Sequence, residues 1–348
     1  MASPVTARVL KPSRIAAGSG RHLLAARPAI PTAARVPVYA NSLVCGRLRL
    51  PARGRPWVMG ILNVTPDSFS DGGRDRSPEA AVRRAEALVA DGADVLDVGG
   101  ESTRPGASPV SREEELRRVI PVIRALAGRL PRLAGSLGRG LPVPVSVDTA
   151  KADVAREAIE AGAALVNDVT ALRGDPAMAR VVAEAGVGVI LMHMQGTPRT
   201  MQRRPRYHDV IAEIRTFLAE ALNRAERAGI PREHVWLDPG LGFGKTVAQN
   251  LRILHDLAEL ASLGRPLVIG PSRKSFIGGI LHADVGDRVV GTLACVAAAA
   301  SSGVALVRVH DVKPAVQFLD MWRAIETVKA VQGTKFKEKR SRSLSLVP

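Results

Sequence analysis

Short apolar runs alternate with longer amphipathic runs between residues 57 and 330. The short runs have the length and continuous hydrophobicity of strands that are buried on both faces. Eight such strands are predicted: VMGIL at 58–62, DVLDVG at 94–99, VPVSV at 143–147, ALVNDV at 164–169, VGVILM at 187–192, VWL at 235–237, PLVIG at 266–270 and ALVRV at 305–309.

The amphipathic runs carry the start and stop signals of helices. Ser77-Pro78-Glu79 predicts an N-cap, a proline at the first helical position and an acid in the first turn. Ser111 with Glu114 predicts a capping box, and Asp175-Pro176 repeats the cap and proline. Glycine follows the predicted ends, as at Gly92, Gly162, Gly186 and Gly229.

One helix after each buried strand indicates parallel pairing, because a parallel pair needs a crossover connection. Eight such units in residues 51–330 favour an α/β fold of the (β/α)8 barrel type, with outer helices around a parallel eight-stranded barrel. An open doubly wound sheet is the alternative, because closure of the ring leaves no trace in the sequence.

Polar residues cluster directly after the predicted strands. They are Asn63, Gly99 to Gly106, Asp148, Asn167 with Asp168, His193, Asp238, Ser272 to Ser275, and Arg308 with His310. Each has an ordinary explanation alone: Asp148 could cap a helix, Lys274 could be solvated, and His193 could be a core histidine. Because the carboxyl ends of parallel barrel strands form one rim, we expect these residues to converge there as an active site.

The residue types indicate a two-part substrate. Asp148, Asn167, Asp238 and Lys274 suit a flat heterocycle with both donor and acceptor edges, on which Arg308 could stack. A second group, with Asn63, Arg308, His310 and also Arg104, suits a multiply charged oxyanion such as a diphosphate. Asn63 could also contact Mg2+, which prefers oxygen ligands.

The segment GILNVTPDSFSDGG, at 60–73, changes from a buried strand to a polar loop that contains Phe69. A large apolar side chain within such a loop indicates either a lid that closes over a flat ligand or a minor core contact. If a helix begins near Ser275, its free N–H groups offer a seat for a carboxylate.

The formal charge of the 348-residue chain is +16, but residues 1–66 hold ten Lys or Arg and no acid. Residues 331–348 hold five Lys or Arg and one Glu, so the remainder is nearly neutral. We expect residues 1–50 to be a disordered or mis-started basic extension and 331–348 to be a disordered basic tail. A transit peptide in residues 1–45 is the alternative.

No apolar run reaches the length of a membrane span, so we expect no membrane partner. The two cysteines, Cys45 and Cys295, have no metal-ligand spacing, which favours a reducing compartment such as the cytoplasm, or an organelle if residues 1–45 act in targeting. The excess of positive charge also suggests a rival function, a nucleic-acid-binding module that uses the two basic ends of the chain. We expect no nucleic-acid partner, because the centre is neutral.

Eight ordered motifs resemble the dihydropteroate synthase family over residues 57–328. They are GILNVTPDSFSDGG at 60–73, DVGGESTRPGA at 97–107, SVDT at 146–149, NDV at 167–169, LMHMQGTP at 191–198, LDPGLGFGKT at 237–246, SRKSFIG at 272–278 and RVHDV at 308–312.

The resemblance implies a pterin-binding barrel that joins 6-hydroxymethyl-7,8-dihydropterin diphosphate to 4-aminobenzoate in folate synthesis, with loss of diphosphate before amine attack. It implies catalytic roles for Asp71, Asp148 and Lys274, with Phe69 closing over the second substrate. The implied sets are Asp148, Asn167, Asp238, Lys274 and Arg308 for the pterin; Asn63, Arg308 and His310 for diphosphate, with Asn63 at Mg2+; and Phe69, Thr103, Arg104, Pro105, Phe243 and Ser275 for 4-aminobenzoate.

The family also implies a homodimer and inhibition by sulfonamides. A methyltetrahydrofolate methyltransferase, which places a pterin in a similar barrel, is the alternative enzyme. It would not need the anion-binding residues of the SRKS and RVH segments.

Overall fold

The computed structural model describes residues 43–46, 48–65, 77–137 and 142–344, with side chains to residue 328. Its strands are β1 (Leu43–Cys45), β2 (Leu48–Leu50), β3 (Trp57–Asn63), β4 (Val95–Gly99), β5 (Val145–Asp148), β6 (Leu165–Asp168), β7 (Gly188–Met192), β8 (Val235–Asp238), β9 (Val268–Ile269) and β10 (Leu306–Val309).

Strands β3 to β10 form one parallel sheet in the order β8-β7-β6-β5-β4-β3-β10-β9. A parallel bridge between Leu237 and Leu267 joins its two outer strands. The ring is therefore closed, which confirms the predicted (β/α)8 barrel over an open sheet.

The helices lie between the strands along the chain. They are α1 (Pro78–Ala90), α2 (Arg112–Ser136), α3 (Ala152–Glu160), α4 (Met178–Ala185), α5 (Val210–Arg227), α6 (Val247–His255), α7 (Leu257–Leu260), α8 (Ser275–Leu281), α9 (Val289–Ser301) and α10 (Val312–Leu344). Their apolar faces pack against the outer side chains of the barrel in one continuous core. Within the described residues, no helix is long and apolar enough to cross a bilayer.

Two of the predicted helix starts are confirmed. Ser77 caps α1 by accepting from the N–H of Ala80, and Ser111 caps α2 by accepting from the N–H of Glu114. The Glu114 carboxylate contacts Arg118 and Arg117, whereas Thr246 and Gln249 form a capping box at the start of α6. Among the described helices, the reciprocal box therefore occurs at a start that we did not single out.

The predicted N-cap role of Asp175 is wrong, because α4 begins at Met178 and the residue at its N-cap is Ala177. One oxygen of Asp175 accepts from the N–H of Ala177, and the other accepts from the N–H of Ala152 at the start of α3, both at 2.9 Å. A single carboxylate thus satisfies free N–H groups near the starts of two neighbouring helices.

The hairpin β1–β2 corrects the predicted boundary at residue 50. Leu43, Cys45 and Leu50 are buried among Trp57, Trp236 and other side chains inside the barrel. The indole N–H of Trp236 donates to the carbonyl of Val44 at 3.1 Å. The barrel domain therefore includes residues before 51, because these apolar residues fill the amino end of the barrel.

The carboxyl-terminal helix also differs from its prediction. The backbone of α10 remains helical to Leu344, although residues 331–348 were expected to be a disordered tail. The earlier part of α10 belongs to the core through Val312, Ala315 and Leu319.

Candidate active site

A row of polar residues crosses the carboxyl ends of four adjacent strands. The strand register pairs Asn63 with Gly99, Gly99 with Asp148, and Asp148 with Asn167. The hydrogen-bonding ladder therefore places these side chains beside one another at the rim. This arrangement confirms the predicted convergence for Asn63, Asp148 and Asn167.

Arg308 lies between two carboxylates inside the mouth of the barrel. Its Nε donates to Oδ2 of Asp97 at 2.6 Å, and a terminal nitrogen donates to Oδ2 of Asp148 at 2.7 Å. The amide of Asn167 donates to the same oxygen of Asp97 at 3.0 Å. Asp97 and Asp148 are buried, so they form with Arg308 and Asn167 one connected polar network.

The electrostatics of this network favour a carboxylate that gains and loses its proton near neutral pH. Burial raises the pKa of Asp148 to about 7, while Arg308 opposes the shift and Asp97 adds to it. The pKa of Arg308 is raised above its usual range, because the adjacent carboxylates outweigh the effect of burial. Arg308 is therefore charged at neutral pH.

Asp238, at the end of β8, and Lys274, directly before α8, are the other two groups predicted to bind the heterocycle. Burial raises the pKa of Asp238, and Lys274 is the largest opposing influence. Burial also lowers the pKa of Lys274 to about 8, although Asp238 opposes that change. The Nζ of Lys274 donates to the carbonyl of Leu241 and lies 4.4 Å from the centre of the Phe243 ring.

The loop that follows β8 depends on glycine. Gly240, Gly242 and Gly244 have φ values of +69°, +78° and +62°. A Cβ atom on Gly240 would lie 2.0 Å from the carbonyl oxygen of His193, and one on Gly242 would lie 2.8 Å from Cδ of Lys274. The loop can therefore approach both neighbours only without side chains at these positions.

The contacts of His193 and Asp168 stabilise the fold. Burial and the neighbouring Lys245 lower the pKa of His193 to about 2, and Phe217 packs edge-on at 4.8 Å. Asp168 accepts from the N–H groups of Thr170 and Leu172. These bonds stabilise a turn in which Ala171 and Leu172 have positive φ.

His310 and Arg273 are fixed by neighbours within the described residues. Nδ1 of His310 lies 3.0 Å from Oγ of Ser272, and burial lowers the pKa of His310 to about 3. Arg273 makes a two-pronged ion pair with Asp311, with Nε at 2.9 Å from Oδ2. At neutral pH, His310 is therefore an uncharged hydrogen-bonding group beside the charged Arg308.

The residues assigned to 4-aminobenzoate are only partly brought together. Thr103, Arg104 and Pro105 follow β4 in an exposed or half-buried loop, where the N–H of Gly106 donates to the carbonyl of Pro198. Phe243 lies beside Lys274, and Ser275 is the first residue of α8. Phe69 and Asp71 lie outside the described residues.

The metal prediction depends on Asn63 alone. Among the described residues, no three His, Cys, Asp or Glu side chains are grouped so that they could hold a metal ion. A single amide oxygen can contribute to a Mg2+ site only if waters and phosphate oxygens of the substrate supply most of the other ligands. The residues present therefore suit a metal that arrives with a diphosphate.

Two buried ionisable residues that contact predicted site residues were missed by sequence reasoning. Asp97 lies within β4 two residues before its end, where a core residue is expected, and Lys245 follows a glycine loop. A signal existed for Asp97, because a charged residue inside a fully buried strand needs a partner. For Lys245, nothing in the sequence indicated that its ammonium group would be buried.

A family model described as pterin binding enzyme matches residues 59–310 of the chain. This match covers more than half of the chain, and its residues include the whole polar row and the Arg308 network. The chain therefore belongs to the pterin-binding enzymes.

Individual relatives are more specific. A dihydropteroate synthase from Escherichia coli K12 is 47% identical over 280 residues, which cover 80% of this chain and 94% of the relative. The crystal structure of Yersinia pestis dihydropteroate synthase with a sulfonamide drug complex superposes with a TM-score of 0.75 at 44% identity, covering 82% of this chain and 99% of that one. Within the pterin-binding enzymes, the chain belongs to the dihydropteroate synthases.

The structure of Xanthomonas albilineans dihydropteroate synthase with 4-aminobenzoic acid has a TM-score of 0.72 at 47% identity. The match covers 82% of this chain and 98% of that chain. The similarity thus extends over nearly the full length of each relative.

Proposed function

We propose that this chain is a dihydropteroate synthase, a transferase that joins 6-hydroxymethyl-7,8-dihydropterin diphosphate to 4-aminobenzoate. The products are 7,8-dihydropteroate and diphosphate, within folate synthesis. The observation that carries the proposal is the placement of Arg308 between Asp97 and Asp148, beside Asn167. This network presents a planar cation and several acceptors at the mouth of a barrel.

The pterin is the part of the substrate that this network suits. Asp148 and Asp238 accept from the amino and ring N–H groups of the heterocycle, Asn167 both donates and accepts, and Lys274 donates to its carbonyl. The guanidinium plane of Arg308 stacks on the ring. The burial of Asp148, Asn167 and Asp238 supports this assignment, because buried polar groups require partners.

The diphosphate lies beside Arg308, His310 and Asn63 in this proposal. Arg308 is charged, and neutral His310 donates or accepts according to its tautomer. Asn63, together with oxygens of the substrate, would hold Mg2+, which would supply positive charge against the leaving diphosphate.

The reaction breaks the bond between the pterin methylene carbon and the diphosphate oxygen, whose electron pair leaves with the diphosphate. Asp148 and Asp71 stabilise the cationic methylene, and then the amine lone pair of 4-aminobenzoate forms the new C–N bond and a proton is released. Phe69, Thr103, Arg104, Pro105, Phe243 and Ser275 surround this second substrate, whose carboxylate lies near the start of α8. Support comes from the Xanthomonas albilineans relative, which was solved with 4-aminobenzoic acid.

The test is a reaction with pterin diphosphate, Mg2+ and 4-aminobenzoate. We expect diphosphate release that requires 4-aminobenzoate, and a product with the mass of 7,8-dihydropteroate. Methyl transfer from methyltetrahydrofolate with no dihydropteroate would instead support the alternative enzyme. Removing residues 1–42 and 335–348 should leave synthase activity intact. Nucleic-acid binding by the full chain that this truncation abolishes, in a protein without synthase activity, would favour the rival module.

A homodimer is the proposed assembly. An apolar surface, here called the α8–α9 face, consists of exposed Ile280, Leu281, Val285 and Val290, of which Val290 is 76% exposed. Exposed Val247 and Leu251 of the neighbouring helix α6 extend it. Adjacent exposed apolar side chains on packed helices are typical of a surface that another chain covers.

Light scattering with size-exclusion chromatography tests the dimer. Val290→Asp should give a monomer, because it places a charge on the most exposed residue of the α8–α9 face. Met321→Asp on α10 is the matched control, since Met321 is also exposed and apolar. A dimer that persists in Val290→Asp would exclude this face.

The cytoplasm is the proposed compartment. Cys45 and Cys295 are both buried, unpaired thiols. Burial raises the pKa of Cys295 to about 11, so that this thiol is protonated and unreactive at neutral pH.

A further inference from the structure

Lys245 has a buried amino group whose contacts are mostly backbone carbonyls. Its Nζ donates to the carbonyls of Phe243 and Gly240 at 2.8 and 2.9 Å, and lies 3.0 Å from Nδ1 of His193. The residue is 3% exposed. Three close acceptors match the three N–H donors of an ammonium group.

These contacts fix the loop that carries two groups of the site. Gly240 follows Asp238 by two residues and donates its N–H to that carboxylate at 2.7 Å. Phe243 lies against Lys274, and the carbonyl of Leu241 accepts from Lys274. Lys245 therefore holds both ends of a loop that orients the pterin acceptor and the Phe243 ring.

The protonation state of Lys245 bears on that of Asp238. The cations that act on Asp238 are Lys274, Lys245 and Arg308, and the N–H of Gly240 adds to their effect. Burial lowers the pKa of Lys245 well below its usual range; Lys274 adds to this change, whereas Asp238 opposes it and the three acceptors around Nζ favour the charged form. Because burial opposes ionisation of Asp238, each nearby cation matters to its protonation state.

We propose that Lys245 is a positioning residue of the active site, which holds the loop 239–244 in place and keeps a buried positive charge beside Asp238. Lys245 does not contact the substrates; it acts through Asp238, Phe243 and Lys274. This inference rests on the proposed function, because it assigns Lys245 to the site of that reaction. The effect of Lys245 on the Asp238 carboxyl group can nevertheless be measured without turnover.

Asn250 offers a matched control, because it holds the same loop without carrying charge. Its Oδ1 accepts from the N–H of Gly242 at 2.7 Å, and its Nδ2 donates to the carbonyl of Thr246 at 2.8 Å. Asn250 is 1% exposed, so that it matches Lys245 in burial. Asn250→Leu removes loop contacts and leaves the charge near Asp238 unchanged.

The experiment is a titration of the Asp238 carboxyl group by 13C NMR in the ligand-free protein, with Asp238→Asn used to assign its resonance. Lys245→Met and Lys245→Gln should both move the midpoint of Asp238 to higher pH by roughly one pH unit, because a favourable cation is lost. Asn250→Leu should leave this midpoint in place. All three variants should raise the KM for 4-aminobenzoate, with the smallest change in Lys245→Gln, which keeps hydrogen-bond donors.

An unmoved Asp238 midpoint in the folded Lys245 variants would overturn the charge role, and an unchanged KM would overturn the loop role. Loss of folding in both lysine variants would overturn the proposal in favour of a purely structural lysine. The NMR result does not depend on whether the protein makes dihydropteroate, so failure of the proposed function would be seen separately in the product assay.

Discussion

Nε of Arg308 donates to Oδ2 of Asp97 at 2.6 Å, joining β10 to β4 inside the barrel mouth. Asp97→Asn preserves the shape of the side chain but removes the charge. We expect pterin binding to weaken by about tenfold or more, because hydrogen bonds to charged groups contribute about 1.5 to 3 kcal/mol. Isothermal titration calorimetry with the pterin substrate measures the change.

Asp94→Asn is the control for that substitution. Asp94 is also buried beside arginines, with Oδ2 at 3.1 Å from Arg55, but it precedes β4 at the opposite end. Its loss should lower the unfolding midpoint without changing pterin affinity. Equal weakening of affinity in both variants would show that the Arg308 network acts only through stability.

Pterin affinity should have a bell-shaped pH dependence. The pKa of Asp148 is about 7, so lowering the pH below 7 protonates this acceptor and weakens binding. The pKa of Lys274 is about 8, so raising the pH above 8 removes its positive charge and also weakens binding. Affinity should therefore be greatest between these values.

Calorimetry between pH 5.5 and about 9.5 follows both limbs, with apparent values that belong to the coupled network. Asp148→Asn should abolish the acid limb, and Lys274→Met should abolish the alkaline limb, each at reduced affinity. An affinity independent of pH in the unmodified protein would contradict the proposed roles of both groups.

Lys151 should be important for stability, because it lies between Glu115 and Glu101. Its Nζ is 2.5 Å from the fully buried carboxylate of Glu115 and also contacts Glu101. Lys151→Met should lower the free energy of unfolding by about 3 kcal/mol, because it leaves a buried carboxylate without its cation. Urea denaturation measures this loss.

The exposed ion pair between Arg112 and Asp153 supplies the comparison, at 2.8 Å. Arg112→Met should have little measurable effect, since solvent screens such pairs. Similar losses in the two variants would show that burial of Glu115 does not determine the stability of this region.

Gly240 should tolerate no side chain. Gly240→Ala combines a φ of +69° with a Cβ position 2.0 Å from the carbonyl oxygen of His193. Gly264→Ala has nearly the same φ, +70°, with nothing within 4 Å. We expect Gly264→Ala to lower stability by about 1 kcal/mol, and Gly240→Ala by several times as much. Thermal unfolding of both variants tests this, and equal effects would assign the requirement to φ alone.

The barrel could be predicted from the sequence because each strand is a short apolar run and several helices have local start or stop signals. β9 is the least regular element: PLVIG was predicted over 266–270, but only Val268–Ile269 form a strand. Closure depends on the bridge between Leu237 and Leu267, which is a tertiary contact without a local signal.

The site was predictable where a polar residue ends a strand, as at Asn63, Asp148 and Asn167. Asp97 was missed because its partner Arg308 lies 211 residues away in the chain. His193 and Asp168 were grouped with the site by position, yet Lys245 and the turn after β6 account for their contacts. Position on the rim therefore indicates where the mouth is, and only packing distinguishes substrate ligands from structural groups.

The hairpin β1–β2 has a practical consequence for handling the protein. Its apolar residues enter the barrel from the end opposite the substrate mouth, while Arg49 of β2 remains exposed. A fluorescent label or surface tether attached at Arg49 would therefore leave substrate access free, and the immobilised protein should bind pterin as the free protein does.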